Sequence, residues 1–242
     1  MPGARRSSSA ALIFAWCGAA LFALALLFFL YDYLVRFGAS AAGGSAAPAA
    51  AFNLLLFSLF ALHHSLLARS GLKARVQHAV GAPLERAVYT WTASVLFLMV
   101  CWWWQPLPGT LYSLTGVAAV PGIALQVAGI VLTAAGSARL DVLDLAGVRP
   151  VLEDAGTRAP EHRPLETTGL YGLVRHPVYL AWVLFVFGAP HMTMTRLMFA
   201  VVSTAYLVVA IPLEERSLIR AFGAAYRQYQ QRVRWRMIPG VY

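Results

Sequence analysis

The chain reads as an all-α protein: a polytopic transmembrane bundle of five to six spans, ending in a helical hairpin and a cytoplasmic amphipathic helix. Three observations predict this. Of 242 residues, 60% are hydrophobic and only 12% charged, too few charges to cover a soluble domain of this size. Apolar runs long enough to cross a hydrocarbon core of about 30 Å recur along the sequence. The Lys and Arg residues gather in alternate connections between those runs, the pattern of positive-inside topology. A net charge of +9 and a pI near 10.1 would also suit a nucleic-acid binder. Here the arginines fall between apolar runs, so topology accounts for them and no nucleic-acid partner is expected.

One membrane domain over 1–242 is expected, with a four-span part at 1–138 and a loop, hairpin and C-terminal helix at 139–242. The first span covers about residues 10–35. Its apolar run exceeds the roughly 7–15 residues of a signal-peptide core, although Arg5-Arg6 before it and Ala39-Ser40-Ala41 after it imitate one. A small-residue linker, Gly38 to Pro48, leads to the second span at about 51–68, which carries the pair His63-His64. A basic loop with Arg69, Lys73, Arg75 and Arg86 precedes the third span, about 87–104, which closes on Trp102-Trp103-Trp104, an interfacial belt. An uncharged connection, 105–116, joins it to the fourth span, about 117–138. Cys17 and Cys101 lie within apolar runs and read as packing residues.

Residues 139–177 form the longest polar stretch and read as a functional loop. The hairpin follows, with apolar segments at about 178–189 and 197–212. The first, about 12 residues or roughly 18 Å of helix, is short for a span. From Leu213 onward Leu218, Phe222, Ala225, Tyr229 and Val233 recur at helical spacing, with Arg216, Arg220, Arg227 and Arg232 on other faces. That pattern predicts one amphipathic helix lying against the membrane surface or the cytoplasmic loop. With the N-terminus inside, all but Arg36 and Arg196 of the 19 Lys and Arg residues fall on one face. This places the 139–177 loop and the C-terminus in the cytoplasm, in an integral membrane protein of the bacterial inner membrane type.

Charges are scarce near lipid, so their clustering at the hairpin's ends marks a site. Arg175-His176-Pro177 predicts a helix starting at Pro177, because proline suits the first helical position and disfavours the α conformation in the residue before it. A helix start flanked by Arg175 and His176 suits a carboxylate or another anion. Taken alone, the tripeptide also reads as a positive-inside arginine and a turn proline. Glu214 and Glu215 follow the last apolar segment; neighbours on a helix point about 100° apart, so one can face inward and the other outward. An interfacial charge pair is the plainer account of the two. The glycines of Thr168-Gly169-Leu170-Tyr171-Gly172 let backbone approach a bound molecule, as they would in any loop. No spacing among His78, His162 and His176 resembles a metal-ligand motif, and no metal is expected.

Gly169-Leu-Tyr-Gly-Leu-Val-Arg-His-Pro-Val-Tyr-Leu-Ala-Trp182, Leu213-Glu-Glu-Arg-Ser-Leu218, Phe222-Gly-Ala-Ala-Tyr-Arg-Gln-Tyr229 and Ile238-Pro239 together resemble the C-terminal half of integral-membrane S-adenosylmethionine-dependent methyltransferases, which include isoprenylcysteine carboxyl and phospholipid methyltransferases. Phe60-Ala-Leu-His-His-Ser-Leu-Leu-Ala-Arg69, Pro83-Leu-Glu-Arg-Ala-Val-Tyr89, Trp102-Trp-Trp-Gln-Pro106 and Met192-Thr-Met-Thr195 extend the resemblance to the methanethiol S-methyltransferase branch. Ala181 stands where that family commonly has glycine, and the 141–144 stretch lacks a histidine expected there. The resemblance implies that His176, Pro177, Tyr179, Glu214 and Glu215, with the backbone of Gly169, Leu170 and Tyr171, hold S-adenosyl-L-methionine. The expected reaction methylates a small thiol, methanethiol giving dimethyl sulfide, with Arg175 or His64 favouring the thiolate and Asp144 and Arg149 organising the loop. An isoprenylcysteine carboxylate or a lipid headgroup is the alternative acceptor, and a non-catalytic membrane subunit or transporter the alternative class.

Overall fold

The computed structural model describes residues 7–39, 43, 45–67, 70–157 and 164–242. Arg5, Arg6, Arg69, Arg158, Glu161, His162 and Arg163 therefore lie outside the described residues, as do 40–42 and 44 of the expected 38–48 linker. Among the described residues the regular secondary structure is helical apart from one two-stranded sheet. Among the described residues, five helical segments are long and apolar enough to cross a membrane: Ser9–Gly38, Ala46–Ser65, Ala82–Trp103, Gly116–Arg139 and Met194–Phe222. The chain divides into two compact units, one comprising Met1–Arg36, Ala51–Gln105 and Asp141–His162, the other Phe37–Ala50, Pro106–Leu140 and Arg163–Tyr242.

In the first unit α1 (Ser9–Leu34) packs on α4 (Ala82–Trp103). Gly18 lets the two helices close, since a Cβ there would meet the Trp91 ring at 2.8 Å. The Trp91 indole donates to Phe14 O at 2.9 Å and its ring stacks on Phe14. Asp32, fully buried in α1, is paired with Arg36 at 2.7 Å, as a carboxylate inside an apolar span requires. Cys101 is buried as a packing residue, whereas Cys17 faces outward. Between α2 (Ala46–Leu67) and α4 the expected basic loop is a helix, α3 (Ser70–Val80). It carries amphipathic spacing over only three turns and ends at Gly81, whose φ of 91° only glycine adopts readily. The 141–157 part of the expected loop is also helical, as α6 (Val142–Leu145) and α7 (Arg149–Asp154). Asp141 caps α6, and the turn at Gly147 presses on Ala87 of α4 so closely that a Cβ would stand 2.7 Å from its Cα.

In the second unit α5 (Val120–Arg139) lies along the short α8 (Pro177–Phe187). Glycines seven residues apart make the contact: a Cβ at Gly122 would meet Gly188 O at 2.6 Å, one at Gly129 would meet Ala181 O at 2.6 Å, and one at Gly136 would meet Val178 Cγ2 at 3.0 Å. Backbone-to-backbone packing through small residues is how helices associate where lipid supplies no hydrophobic drive. It anchors an apolar helix of 11 residues, only about 16 Å long.

The connections expected to be plain loops pair instead, as β1 (Thr110–Ser113) and β2 (His191–Thr193) in antiparallel register. Thr193 then caps α9 (Met194–Phe222), its hydroxyl accepting from Arg196 N at 3.1 Å. The helix runs straight through Pro212, where the sequence suggested that the span ends. Proline has no N–H for the carbonyl four residues earlier; the Tyr242 hydroxyl takes that place, donating to Val208 O at 3.3 Å. At 29 residues, α9 is about 44 Å long, so roughly its last ten residues exceed a 30 Å apolar core. Glu214 and Glu215 fall where that excess begins.

The single amphipathic helix expected from Leu213 onward is thus two pieces. The chain breaks at Gly223, φ 57°, and resumes as α10 (Ala224–Arg232). The apolar face of α10, Tyr226 and Tyr229 with Val233 after it, packs on Leu165, Leu218, Ile219 and Phe222. It is covered by α9 and the 164–176 segment, not by lipid.

Candidate active site

The second unit brings nine sequence-nominated residues to one end of α8 and α9. His176 caps α8 and Pro177 is its first residue, as the sequence predicts. The stretch before it is stitched to the chain's last segment: Arg175 N donates to Trp235 O at 3.0 Å and His176 N to Arg236 O at 2.8 Å. The Arg175 guanidinium turns inward, with Nε donating to Glu215 Oε1 at 2.6 Å and Nη1 to the carbonyls of Val233 at 2.6 Å and Arg234 at 2.9 Å.

The two glutamates part company, as their 100° offset on a helix requires. Glu215 is 4% exposed and saturated. Besides Arg175 it receives Gln230 Nε2 at 3.2 Å and the Tyr226 hydroxyl at 3.4 Å, and Arg236 Nε lies 3.4 Å from its Oε2. Glu214 has a side chain 43% exposed and, among the described residues, one hydrogen bond, from the Tyr179 hydroxyl at 2.8 Å. The His176 ring stacks on Tyr179 with centroids 5.3 Å apart and lies between the carboxylates, Nδ1 at 3.6 Å from Glu214 and Nε2 at 3.5 Å from Glu215. His176 Nε2 is buried without a hydrogen bond among the described residues, an orphan acceptor or donor waiting for a partner.

Gly169–Gly172 forms a 3₁₀ turn entered through Gly169 at φ 56°, with open space where its side chain would stand. The carbonyl of Leu170 is spent inside the turn on Leu173 N and Val174 N, and that of Tyr171 on the Tyr229 hydroxyl at 2.7 Å. Burial, and then the negative charges of Glu214 and Glu166, push the Tyr171 phenol up to about 12. Burial raises Tyr226 and Tyr229 as well, so all three act as neutral hydrogen-bonding groups.

The remaining nominees sit in the first unit. His64 Nδ1 is bonded to the Tyr89 hydroxyl at 2.8 Å, and His63 stacks on the same ring with both nitrogens buried and without hydrogen bonds among the described residues. Arg149 is paired with Asp141 and, at 2.7 Å, with Glu153. Asp144 is paired with Arg86 at 3.0 Å, and Arg86 Nε also reaches the Asp144 carbonyl. Asp144 and Arg149 therefore hold α6 and α7 in shape and to α4. Sequence reasoning gave no role to Tyr226, Gln230 or Arg236. Tyr226 and Gln230 are four residues apart on α10 and so share a face, a signal that could have paired them; the Val233 and Arg234 carbonyls leave no trace in side-chain patterning.

The chemistry of this cluster suits a ligand carrying both signs of charge. It offers a helix start and a buried imidazole nitrogen for an anionic or hydroxyl group, and an accessible carboxylate beside an aromatic ring for a cationic one.

Comparison with known proteins bears on what that ligand is. A family described as "Protein of unknown function (DUF1295)" matches residues 110–233. Methanethiol S-methyltransferase 1 of Bradyrhizobium diazoefficiens is 38% identical over 190 residues, 78% of this chain and 67% of that protein. Methanethiol S-methyltransferase of Mycobacterium tuberculosis is 32% identical over 182 residues, covering 75% of each. Protein-S-isoprenylcysteine O-methyltransferase B of Arabidopsis thaliana is 37% identical over 79 residues, 31% of this chain and 40% of that protein. No solved structure matches. The extent of the bacterial matches, on a helical membrane fold with these residues at one site, shows that the chain belongs to the integral-membrane methyltransferase superfamily, in the branch of the methanethiol S-methyltransferases.

Proposed function

We propose that the protein transfers a methyl group from S-adenosyl-L-methionine to methanethiol, giving dimethyl sulfide. The observation that carries this reading is the grouping of His176, Tyr179 and Glu214: an unsatisfied buried imidazole nitrogen, an aromatic face and an accessible carboxylate within one hydrogen-bonded cluster. When bound, the donor supplies an electrophilic methyl group on a sulfonium.

The cluster's task is to bind and orient. Glu214 takes the donor's cationic amino group or its ribose hydroxyls, and the start of α8 at His176 and Pro177 takes its carboxylate. The Tyr179 ring presents a π face, and the turn at Gly169, Leu170 and Tyr171 gives close backbone approach. Arg175 and Glu215, each saturated by the other and by the C-terminal segment, hold this geometry in place. In-line displacement gains most from alignment and exclusion of water.

The acceptor must lose its proton, because the thiolate is the nucleophile. The thiolate-favouring role stays with Arg175 or His64; Arg175 is ion-paired with Glu215, and His64 is hydrogen-bonded to Tyr89. Asp144 and Arg149 keep the α6–α7 segment ordered. The distribution of arginines supports a bacterial inner-membrane protein with its N-terminus, the 139–177 segment and the C-terminus in the cytoplasm.

The test is purified protein given methanethiol and S-adenosyl-L-methionine, with dimethyl sulfide measured in the headspace. Dimethyl sulfide formed only when both substrates are present supports the reading. Methyl label appearing in lipid with no dimethyl sulfide overturns the acceptor, and no methyl transfer at all overturns the reading.

A further inference from the structure

Glu215 could in principle turn toward the ligand, as Glu214 does; what prevents it is α10. Its Oε1 is engaged by Arg175 Nε at 2.6 Å and, weakly, by the Tyr226 hydroxyl at 3.4 Å. Its Oε2 has, among the described residues, one hydrogen-bond donor, Gln230 Nε2 at 3.2 Å, with Arg236 Nε at 3.4 Å in an ion pair that also leans on Tyr242. Without the Gln230 amide, a carboxylate that is 4% exposed has to find another donor, because an unpaired buried oxygen is costly. An unsatisfied group lies beside the same carboxylate: His176 Nε2, 3.5 Å from its other oxygen, Oε1, and without a hydrogen bond among the described residues. The carboxylate would close on that nitrogen and take from the site the one buried ring atom left for a ligand.

We propose that Gln230, supported by Tyr226, is a positioning residue for donor binding: it holds Glu215 on Arg175, keeps His176 Nε2 open, and leaves Glu214 as the glutamate that faces the ligand. This rests on the reading that His176 and Glu214 bind the methyl donor. Gln230 touches neither donor nor acceptor and acts through the carboxylate.

The test uses the full chain in detergent, titrated calorimetrically with S-adenosyl-L-homocysteine, the demethylated product. Gln230→Ala should weaken binding about tenfold, raise KM for the donor by a similar factor, and leave KM for the thiol and the thermal midpoint near their wild-type values. Gln230→Glu has nearly the same shape but, when ionised, donates nothing and adds a second negative charge beside Glu215; when protonated it can donate as the amide does. The groups facing Glu215 are Arg175 and His176 at the start of α8, Tyr226 and residue 230 on α10, and Arg236. Binding by Gln230→Glu, as a ratio to wild type at each pH, should therefore recover between pH 8 and pH 5.5.

Gln230→Ala binding within twofold of wild type overturns the proposal, and so does a pH-independent ratio for Gln230→Glu. Weakened binding with a thermal midpoint lowered by many degrees shows a merely structural role and overturns it as well. Failure of the wild type itself to bind is a distinct outcome that removes the donor-site reading and this proposal together.

Discussion

Arg175 Nε donates to Glu215 Oε1 at 2.6 Å, both side chains about 95% shielded from solvent, and this one contact joins the start of α8 to α9. The same guanidinium holds the carbonyls of Val233 and Arg234. Three segments far apart in sequence meet on one planar cation, which explains why arginine and not lysine stands there: only a fork of N–H groups serves a carboxylate and two carbonyls at once.

Removing one partner of such a pair leaves a buried charge uncompensated, at a cost of about 3–5 kcal/mol. Glu215→Ala should lower the thermal midpoint sharply, and Arg175→Lys should do so to a smaller degree while also loosening the 233–236 segment. Scanning fluorimetry in detergent measures both. A Glu215→Ala variant as stable as wild type would remove the structural role given to the pair.

The adjacent carboxylate behaves oppositely. Because Glu214 is accessible and, among the described residues, hydrogen-bonded only by Tyr179, Glu214→Gln should leave the thermal midpoint within a degree or two, while weakening donor binding at least tenfold, the loss expected when a charged hydrogen bond to a ligand goes. Titration calorimetry and scanning fluorimetry on Glu214→Gln separate the two effects; loss of stability rather than affinity at position 214 would contradict this role.

On α5, Gly129 has no room for a side chain, with Ala181 O 2.6 Å from where a Cβ would be. Gly129→Val forces α5 and α8 apart and moves the start of α8 with them. Its expected result is poor recovery of folded protein on size-exclusion chromatography. Gly71→Val meets nothing within 4 Å and serves as the tolerant control.

Burial, with the nearby carboxylates, pushes the Tyr171 phenol up to about 12, above its ordinary value near 10. A group whose folded value is raised contributes stability that is complete below the unfolded value and is lost as pH climbs through the folded one. Unfolding free energy should thus show no slope from this phenol between pH 7 and 9.5 and should fall above pH 10. Ultraviolet titration checks it: Tyr171, Tyr226 and Tyr229 should ionise only as the protein unfolds in alkali, after the exposed tyrosines have done so.

The Pro212 bypass is testable in the same way. Tyr242→Phe strips the hydroxyl that satisfies Val208 O and should cost about 1 kcal/mol, the usual net worth of a hydrogen bond. Chemical denaturation in mixed micelles would show it as a shift in midpoint without a change in slope.

Much was legible in advance where the governing forces are local. Hydropathy alone located the apolar segments, because exclusion from water acts on each residue in turn. The start of α8 at Pro177 followed from the proline ring and its clash with the preceding residue. Where pairing across distance decides, the reading failed. The β1–β2 ladder needed Thr110 and Thr193 to meet, and α9 persisted through Pro212 because a tyrosine thirty residues later supplied the missing partner. At Gly223 one continuous apolar pattern hid a change of direction.

The sequence by itself determined a helical membrane protein with its ionisable residues concentrated at the ends of one hairpin, since composition and periodicity record what water and lipid each accept. Which of two neighbouring glutamates stays accessible, and which is locked away by Arg175 and Gln230, was decided only by the tertiary structure. Adjacent helical residues are chemically alike and differ solely in direction, and direction acquires meaning only when other elements arrive to fill one side.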